Sequence, residues 1–138
     1  QDKMAPVMMS FTWNIDKLVG PHASDELLDK NLLQIIPLAF FRGLSIDSAI
    51  VIIDEAQNLS LDLFKTIITR IGENCKYIFL GDTEQIDRKK KTESCLQDII
   101  DWFADSEVIK TFSFTDKDCV RNPKIPLILS ILEKHKIT

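Results

Sequence analysis

The chain has 138 residues, 45% hydrophobic and 28% charged, with 4 Gly and 5 Pro. That is the make-up of one soluble globular domain and excludes a linker, a collagen or a disordered tail. Its 17 Lys and Arg against 21 Asp and Glu leave a formal charge of −4, so any attraction to nucleic acid has to come from a local patch.

In chain order, Pro6 to Val19 is expected to be helical. Val7, Met8, Phe11, Ile15 and Leu18 fall on one stripe, Pro6 suits the first turn, and Gly20-Pro21 ends it. Asp25 to Lys30 suggests a short helix capped by Ser24, and Leu32 to Ile36 a strand stopped by Pro37. The longest apolar stretch, Leu32 to Phe41, is interrupted by Gln34 and Pro37 and falls far short of the roughly 20 residues that span a bilayer. No membrane association is therefore expected.

Ala49-Ile50-Val51-Ile52-Ile53 is the clearest element. Five apolar residues without alternation, mostly β-branched, predict a strand buried on both faces, as in a parallel sheet. Ser60 then caps a helix whose Leu61, Phe64, Ile67, Ile68 and Ile71 repeat at helical spacing, with Gly72 closing it. Tyr77 to Leu80 reads as a second strand, Ser94 to Phe103 as an amphipathic helix, Val108 to Phe114 as a strand, and Ile125 to Leu132 as a closing helix. Alternating strands and helices, with no repeat and no domain boundary, predict an α/β fold with layers around a mainly parallel sheet.

Two polar clusters follow two apolar strands: Asp54-Glu55-Ala56-Gln57-Asn58, and Gly81-Asp82-Thr83-Glu84-Gln85-Ile86-Asp87. In an open parallel sheet ligands sit outside the carboxyl ends of the strands, so both clusters are expected to face one crevice. A lone Asp-Glu pair after a strand is as well explained by solvation or helix capping; two such clusters at one sheet edge are not. A buried strand ending in Asp-Glu suits nucleotide hydrolysis. The Asp orders water on Mg²⁺ at the β- and γ-phosphates, and the Glu polarises the attacking water. A neutral amide such as Gln85 senses the γ-phosphate or positions that water without adding negative charge. This is the Walker B and motif III pattern of helicase-like P-loop ATPases.

The ordered set Ile50 to Asn58, Thr69-Arg70-Ile71-Gly72 and Gly81 to Asp87 resembles the C-terminal half of a PhoH-like ATPase. It is joined by Pro37-Leu38-Ala39-Phe40-Phe41-Arg42-Gly43 upstream and Asp118-Cys119-Val120-Arg121-Asn122-Pro123 downstream. Together these segments extend over about two-thirds of the chain. The resemblance implies a P-loop NTPase-like three-layer fold and a protein that binds ATP with Mg²⁺ and hydrolyses it, coupled to RNA or another single-stranded nucleic acid. It further implies assembly into a homo-oligomer, a hexamer in the family's manner, and a cytoplasmic protein of the kind associated with phosphate starvation and often found in phages. By the same resemblance Asp54 organises the metal, Glu55 activates water, Gln85 senses the γ-phosphate, and Arg121 stabilises transferred charge. A surface ion pair with Asp116 or Asp118 explains Arg121 about as well.

The phosphate-cradling loop G-x-x-x-x-G-K-[ST] is missing: none of Gly20, Gly43, Gly72 and Gly81 precedes a Lys-Ser or Lys-Thr at that spacing. With Gln rather than Met at position 1, residues 1–138 are expected to be the C-terminal part of the ATPase domain, incomplete on the N-terminal side and inactive alone. The alternative is a non-catalytic module that binds nucleic acid or oligomerises on a degenerate form of the fold. Arg88-Lys89-Lys90-Lys91 is the one dense basic run, a candidate for nucleic-acid phosphates or else a solvated loop. Arg42, next to Gly43, is a candidate for the same strand or an incidental residue at a turn. Cysteines 75, 95 and 119 form no C-x-x-C, and His22 and His135 lack ligand-spaced partners, which speaks for free thiols in a reducing cytoplasm. Trp13, Trp102 and the eight Phe, at helix or strand spacing, read as core.

Overall fold

The computed structural model describes residues 5–85, 94–115, 118, 120, 122 and 124–135. Among them are helices α1 (Ala5–Val19), α2 (Ala23–Asp29), α3 (Leu61–Ile68), α4 (Leu96–Trp102) and α5 (Lys124–Lys134). Strands β1 (Ile50–Ile53) and β2 (Lys76–Phe79) and two short 3-10 turns, Leu38–Phe40 and Ala56–Asn58, complete the set. Five helices and a parallel strand pair make the expected α/β fold, of the kind a partial P-loop NTPase-like domain has.

β1 and β2 pair in parallel, Ile50 opposite Lys76 through Ile53 opposite Phe79, with α3 as the crossover. A parallel bridge between Ile46 and Ile71 extends the pairing one step before the strands. Beneath this pair lies the core of Phe41, Ile53, Ala56, Leu59, Phe64, Ile67, Cys95 and Ile99. Phe64 of α3 meets Phe79 of β2 with ring centroids 5.2 Å apart and tilted by 46°, a favoured aromatic arrangement that locks crossover to strand. The expected two-sided burial of β1 is not what forms. Val51 and Ile53 turn to the core, whereas Ile50 and Ile52 are 69% and 54% exposed. A run of β-branched residues favours the strand whichever face is covered, so composition alone does not count the covered faces.

Ser60 caps α3 as expected, its Oγ accepting from the Leu63 N–H at 3.3 Å. The helix then stops at Ile68 instead of running to Ile71, because Ile71 is drawn into the bridge with Ile46. Gly72 is therefore not a helix terminator. A Cβ there would collide with the Asp47 carboxylate and the Ile46 carbonyl, and Asp47 Oδ1 accepts the Glu73 N–H at 2.8 Å across the same gap. Glycine is needed for close approach.

α1 matches the expected span, but Leu18 on its apolar stripe is 85% exposed. α2 starts earlier than expected. Ser24 lies inside it, buried, and its N–H donates to Asp16 Oδ1 of α1 at 2.8 Å, so the carboxylate from the neighbouring helix does the capping. Neither Leu32–Ile36 nor Val108–Phe114 becomes a strand. Val108, Phe112 and Phe114 are 84–90% exposed, and an extended segment without a ladder partner has nothing to pair its backbone groups with. Among the described residues no helix is long and apolar enough to cross a membrane.

Cys95, 4% exposed, precedes α4, and burial pushes its thiol up, with Asp98 adding to the effect against its own backbone N–H. Thiolate is the reactive form, so alkylation at pH 8 should label half-buried Cys75 well before Cys95. Peptide mapping should show Cys95 labelled only after denaturant is added; equal rates in the native and unfolded chain would contradict this packing.

Candidate functional site

The carboxyl end of β1 is held by the residue that follows β2. The Leu80 N–H donates to the Ile53 carbonyl at 2.8 Å, and the Leu80 carbonyl accepts from the Ala56 N–H at 2.8 Å. Two backbone bonds from one residue thus straddle Asp54-Glu55. To make that short arch, Glu55 takes a left-handed conformation at φ 56° and ψ 39°. This costs a non-glycine residue about 1–2 kcal/mol. Two backbone bonds at about 0.5–1.5 kcal/mol each offset it, and Asp54 Oδ1 adds a bond from the Glu55 N–H at 2.9 Å. Both carboxylates remain exposed to solvent.

After β2 the chain makes a second acid-rich turn. Asp82 organises it: Oδ1 accepts the Glu84 N–H at 2.8 Å, and Oδ2 accepts from Gln85 Nε2 at 2.9 Å. Gln57 joins the two turns. It is 4% exposed, donates from Nε2 to Glu55 Oε2 at 2.7 Å, and accepts the Asp82 N–H on Oε1 at 3.2 Å. Gly81 makes room for this. A Cβ there would stand 2.9 Å from Leu96 Cδ2 and 3.0 Å from both the Gln57 backbone nitrogen and its Oε1.

Asp54, Glu55, Gln57, Gly81, Asp82 and Gln85 together line a cavity of about 190 Å³ at this end of the sheet. Among the described residues three carboxylates and two amides line it, with no cationic side chain. A larger hollow of about 400 Å³ opens at the opposite end of the strands, against Ser48, Ala49, Ile50, Asn74, Cys75 and Lys76, but it gathers no carboxylate. Oxygen donors at the acidic cavity suit a hard divalent cation such as Mg²⁺, which takes one or two carboxylates and fills its octahedron with water and phosphate. Among the described residues no group of three or more His, Cys, Asp or Glu is placed to hold a metal ion by itself.

Asp54, Glu55 and Gln85 are thus brought to one cavity, with Gln85 turned onto Asp82. Arg42 lies elsewhere, exposed in the turn after the first 3-10 segment and not lining that cavity. Arg88, Lys89, Lys90, Lys91 and Arg121 lie outside the described residues, as do Ile86 and Asp87. Near Arg121 in sequence, Asp118 accepts both the Thr115 N–H at 2.7 Å and its hydroxyl at 2.9 Å, and these two donors hold its carboxyl below the usual range. Sequence reasoning takes Gln57 only as a cluster member. A signal for more is present: an amide two residues after a strand-tip carboxylate, beside a core Leu59.

The PhoH-like protein family model matches residues 1–133. The chain belongs to the PhoH family. It is 30% identical to a PhoH-like protein of Bacillus subtilis over 135 residues, 98% of this chain and 42% of that protein. Protein PhoH of Escherichia coli K12 is 38% identical over 90 residues, 65% of this chain and 25% of its own length. A PhoH-like protein of Synechocystis is 29% identical over the whole chain, again 42% of the relative. The chain therefore spans less than half the length of these family members.

Gly81 gives the site a packing test. Gly81→Ala should push the Gln57 backbone and side chain and lower stability by about 1–3 kcal/mol, as overpacking does. Urea denaturation reads this directly. An unaltered midpoint would mean that the two turns are not in contact through Gly81.

Proposed function

We propose that this chain supplies the metal- and water-handling half of an ATP-hydrolysing site, with the phosphate grip coming from a G-x-x-x-x-G-K-[ST] segment joined to it or assembled with it. The observation that carries this reading is the meeting of Asp54, Glu55, Asp82 and Gln85 in one cavity at the carboxyl ends of two parallel strands. Family membership supports it, and the chain's coverage of its relatives leaves room for the missing grip.

Electrostatics divide the work. Three carboxylates repel a bare triphosphate, so this cavity accepts nucleotide only with a cation between them or with positive charge brought in from outside. Asp54, whose Oδ1 accepts the Glu55 N–H, would hold the metal, supplying it a carboxylate at the tip of β1. Mg²⁺, when bound, neutralises charge on the phosphoryl group and orients it. Glu55 is the general base, set by its left-handed backbone and by Gln57. Gln85 positions water or reads the γ-phosphate once its amide leaves Asp82, an exchange of one hydrogen bond worth about 0.5–1.5 kcal/mol. Arg121 stabilises transferred charge, in cis or from a neighbouring copy of a homo-oligomer. The cytoplasm is the fitting compartment, since Cys75 and Cys95 are free thiols.

Glu55→Gln in the complete gene product keeps shape and removes the base. ATP should still bind while turnover falls by roughly 10²-fold or more. Asp54→Asn removes charge from the metal shell, so it should weaken binding as well as turnover and be partly restored by raising Mg²⁺. Near-normal hydrolysis by Glu55→Gln would remove Glu55 from the role of base. Equal loss of binding in both variants would make the pair a single metal cage.

Coupling to RNA or another single-stranded nucleic acid is the second part of the proposal, supported by the basic run Arg88 to Lys91 directly after the Asp82 turn in sequence, with Arg42 as a further candidate. Replacing Lys89, Lys90 and Lys91 with Ala should weaken binding. It should also flatten the salt dependence by about 2 in the log–log slope, since each phosphate that a lysine neutralises on a single strand adds about 0.7. An unchanged slope makes the run a solvated loop. Nucleic-acid binding by a complete gene product with no hydrolysis would favour the non-catalytic module.

A further inference from the structure

We infer that Gln57 is a positioning residue that couples the water-activating carboxylate of Glu55 to the turn that carries Asp82 and Gln85, so that the two strand tips act as one unit. Four observations carry this. Gln57 is a buried amide at 4% exposure, and an unpaired amide in that position is costly. Both ends of its side chain are used, Nε2 on Glu55 Oε2 at 2.7 Å and Oε1 on the Asp82 N–H at 3.2 Å. Only one orientation of the amide satisfies both, because the reverse would set a carbonyl against a carboxylate and an NH₂ against an N–H. Finally, position 81 is glycine, where any Cβ would crowd the Gln57 nitrogen and Oε1.

The bond to Glu55 is charge-assisted and short, the strong class, and it fixes which way a solvent-exposed carboxylate points. The bond from Asp82 is made by backbone, so it positions the whole turn. Asp82 then holds Gln85 and the Glu84 N–H through its own carboxylate. A displacement of Glu55 on the β1 side is therefore passed by the Gln57 side chain to the Asp82 turn, and by the Asp82 carboxylate to Gln85. Gln57 touches neither the metal nor the phosphates in this reading; it acts through Glu55 and Asp82. That role presupposes the catalytic parts assigned above to Glu55 and Gln85, whereas the bridge between the turns does not.

Two variants separate the halves of the bridge. Gln57→Met removes donor and acceptor at similar length. Gln57→Glu keeps an acceptor for the Asp82 N–H but sets a carboxylate against Glu55. Amide hydrogen exchange on the full chain without nucleotide is the first readout, with the Ile67 amide as control, since it lies within α3 and does not bond to Gln57. Exchange of the Asp82 amide should quicken at least tenfold in Gln57→Met and stay near wild type in Gln57→Glu. The second readout is steady-state hydrolysis by the complete gene product: kcat should fall at least tenfold in both variants, while KM for ATP stays within about twofold in Gln57→Met, which adds no charge to the cavity. Unchanged Asp82 exchange in Gln57→Met, or wild-type kcat in Gln57→Glu, overturns the inference. If Ile67 loses protection in one variant, that variant is unfolded and the other decides. A wild-type product that hydrolyses no ATP would instead overturn the ATPase reading, and Asp82 exchange would still judge the bridge.

Discussion

Leu80 governs this site. Its N–H and its carbonyl reach to either side of Asp54-Glu55, closing on Ile53 and Ala56 at 2.8 Å each. Parallel pairing ordinarily ends where the strands end; here it is carried one residue past β2 and wraps the acidic dipeptide of β1. The arch is too short for extended backbone throughout, and the left-handed turn falls on Glu55. Strain of this kind persists where the surroundings over-determine it. Two backbone bonds, the Asp54 side chain and the Gln57 amide do so here.

From that constraint the rest of the site follows by packing. Because β1 and β2 run in parallel, both of their carboxyl ends lie on one side, and the polar turns after them meet. Meeting closely requires Gly81, and the space it leaves is filled by Gln57. Three carboxylates around about 190 Å³ are an unfavourable concentration of charge unless water or a cation screens them, and they are kept apart by being tied individually. Asp54 is bonded to its neighbour's N–H, Glu55 to Gln57, and Asp82 to Glu84 and Gln85. The same bonds hold the carboxylates in place and join the two turns.

The core lies on one face of the strand pair. α3 and α4 deliver Phe64, Ile67 and Ile99 to it, while Ile50 and Ile52 on the opposite face of β1 are exposed. Leu127, Ile128, Leu129, Ile131 and Leu132 of α5 are likewise 47–65% exposed. Exposed apolar residues at this density are unusual on a monomer surface. The apolar run of β1, continuous rather than alternating, is also what makes that strand the clearest element in the sequence.

The sequence by itself determined the helix and strand types of the regular elements that formed, the α/β class, and the family. Those properties are local or ordered along the chain: apolar runs, a Ser60 cap, and motifs in a fixed succession. It also determined that Asp54, Glu55 and Gln85 would follow strands. Tertiary structure decided which extended segments found a partner, so Val108–Phe114 stayed unpaired while Ile71 left its helix for a bridge with Ile46. It decided which face of β1 was covered. It also decided that Asp16, not Ser24, caps α2, that Gly72 and Gly81 serve close approach, and that Gln57 spans both turns. Each of these depends on a partner at least 8 residues away in sequence, and no pattern within a helix or strand period encodes where that partner will be.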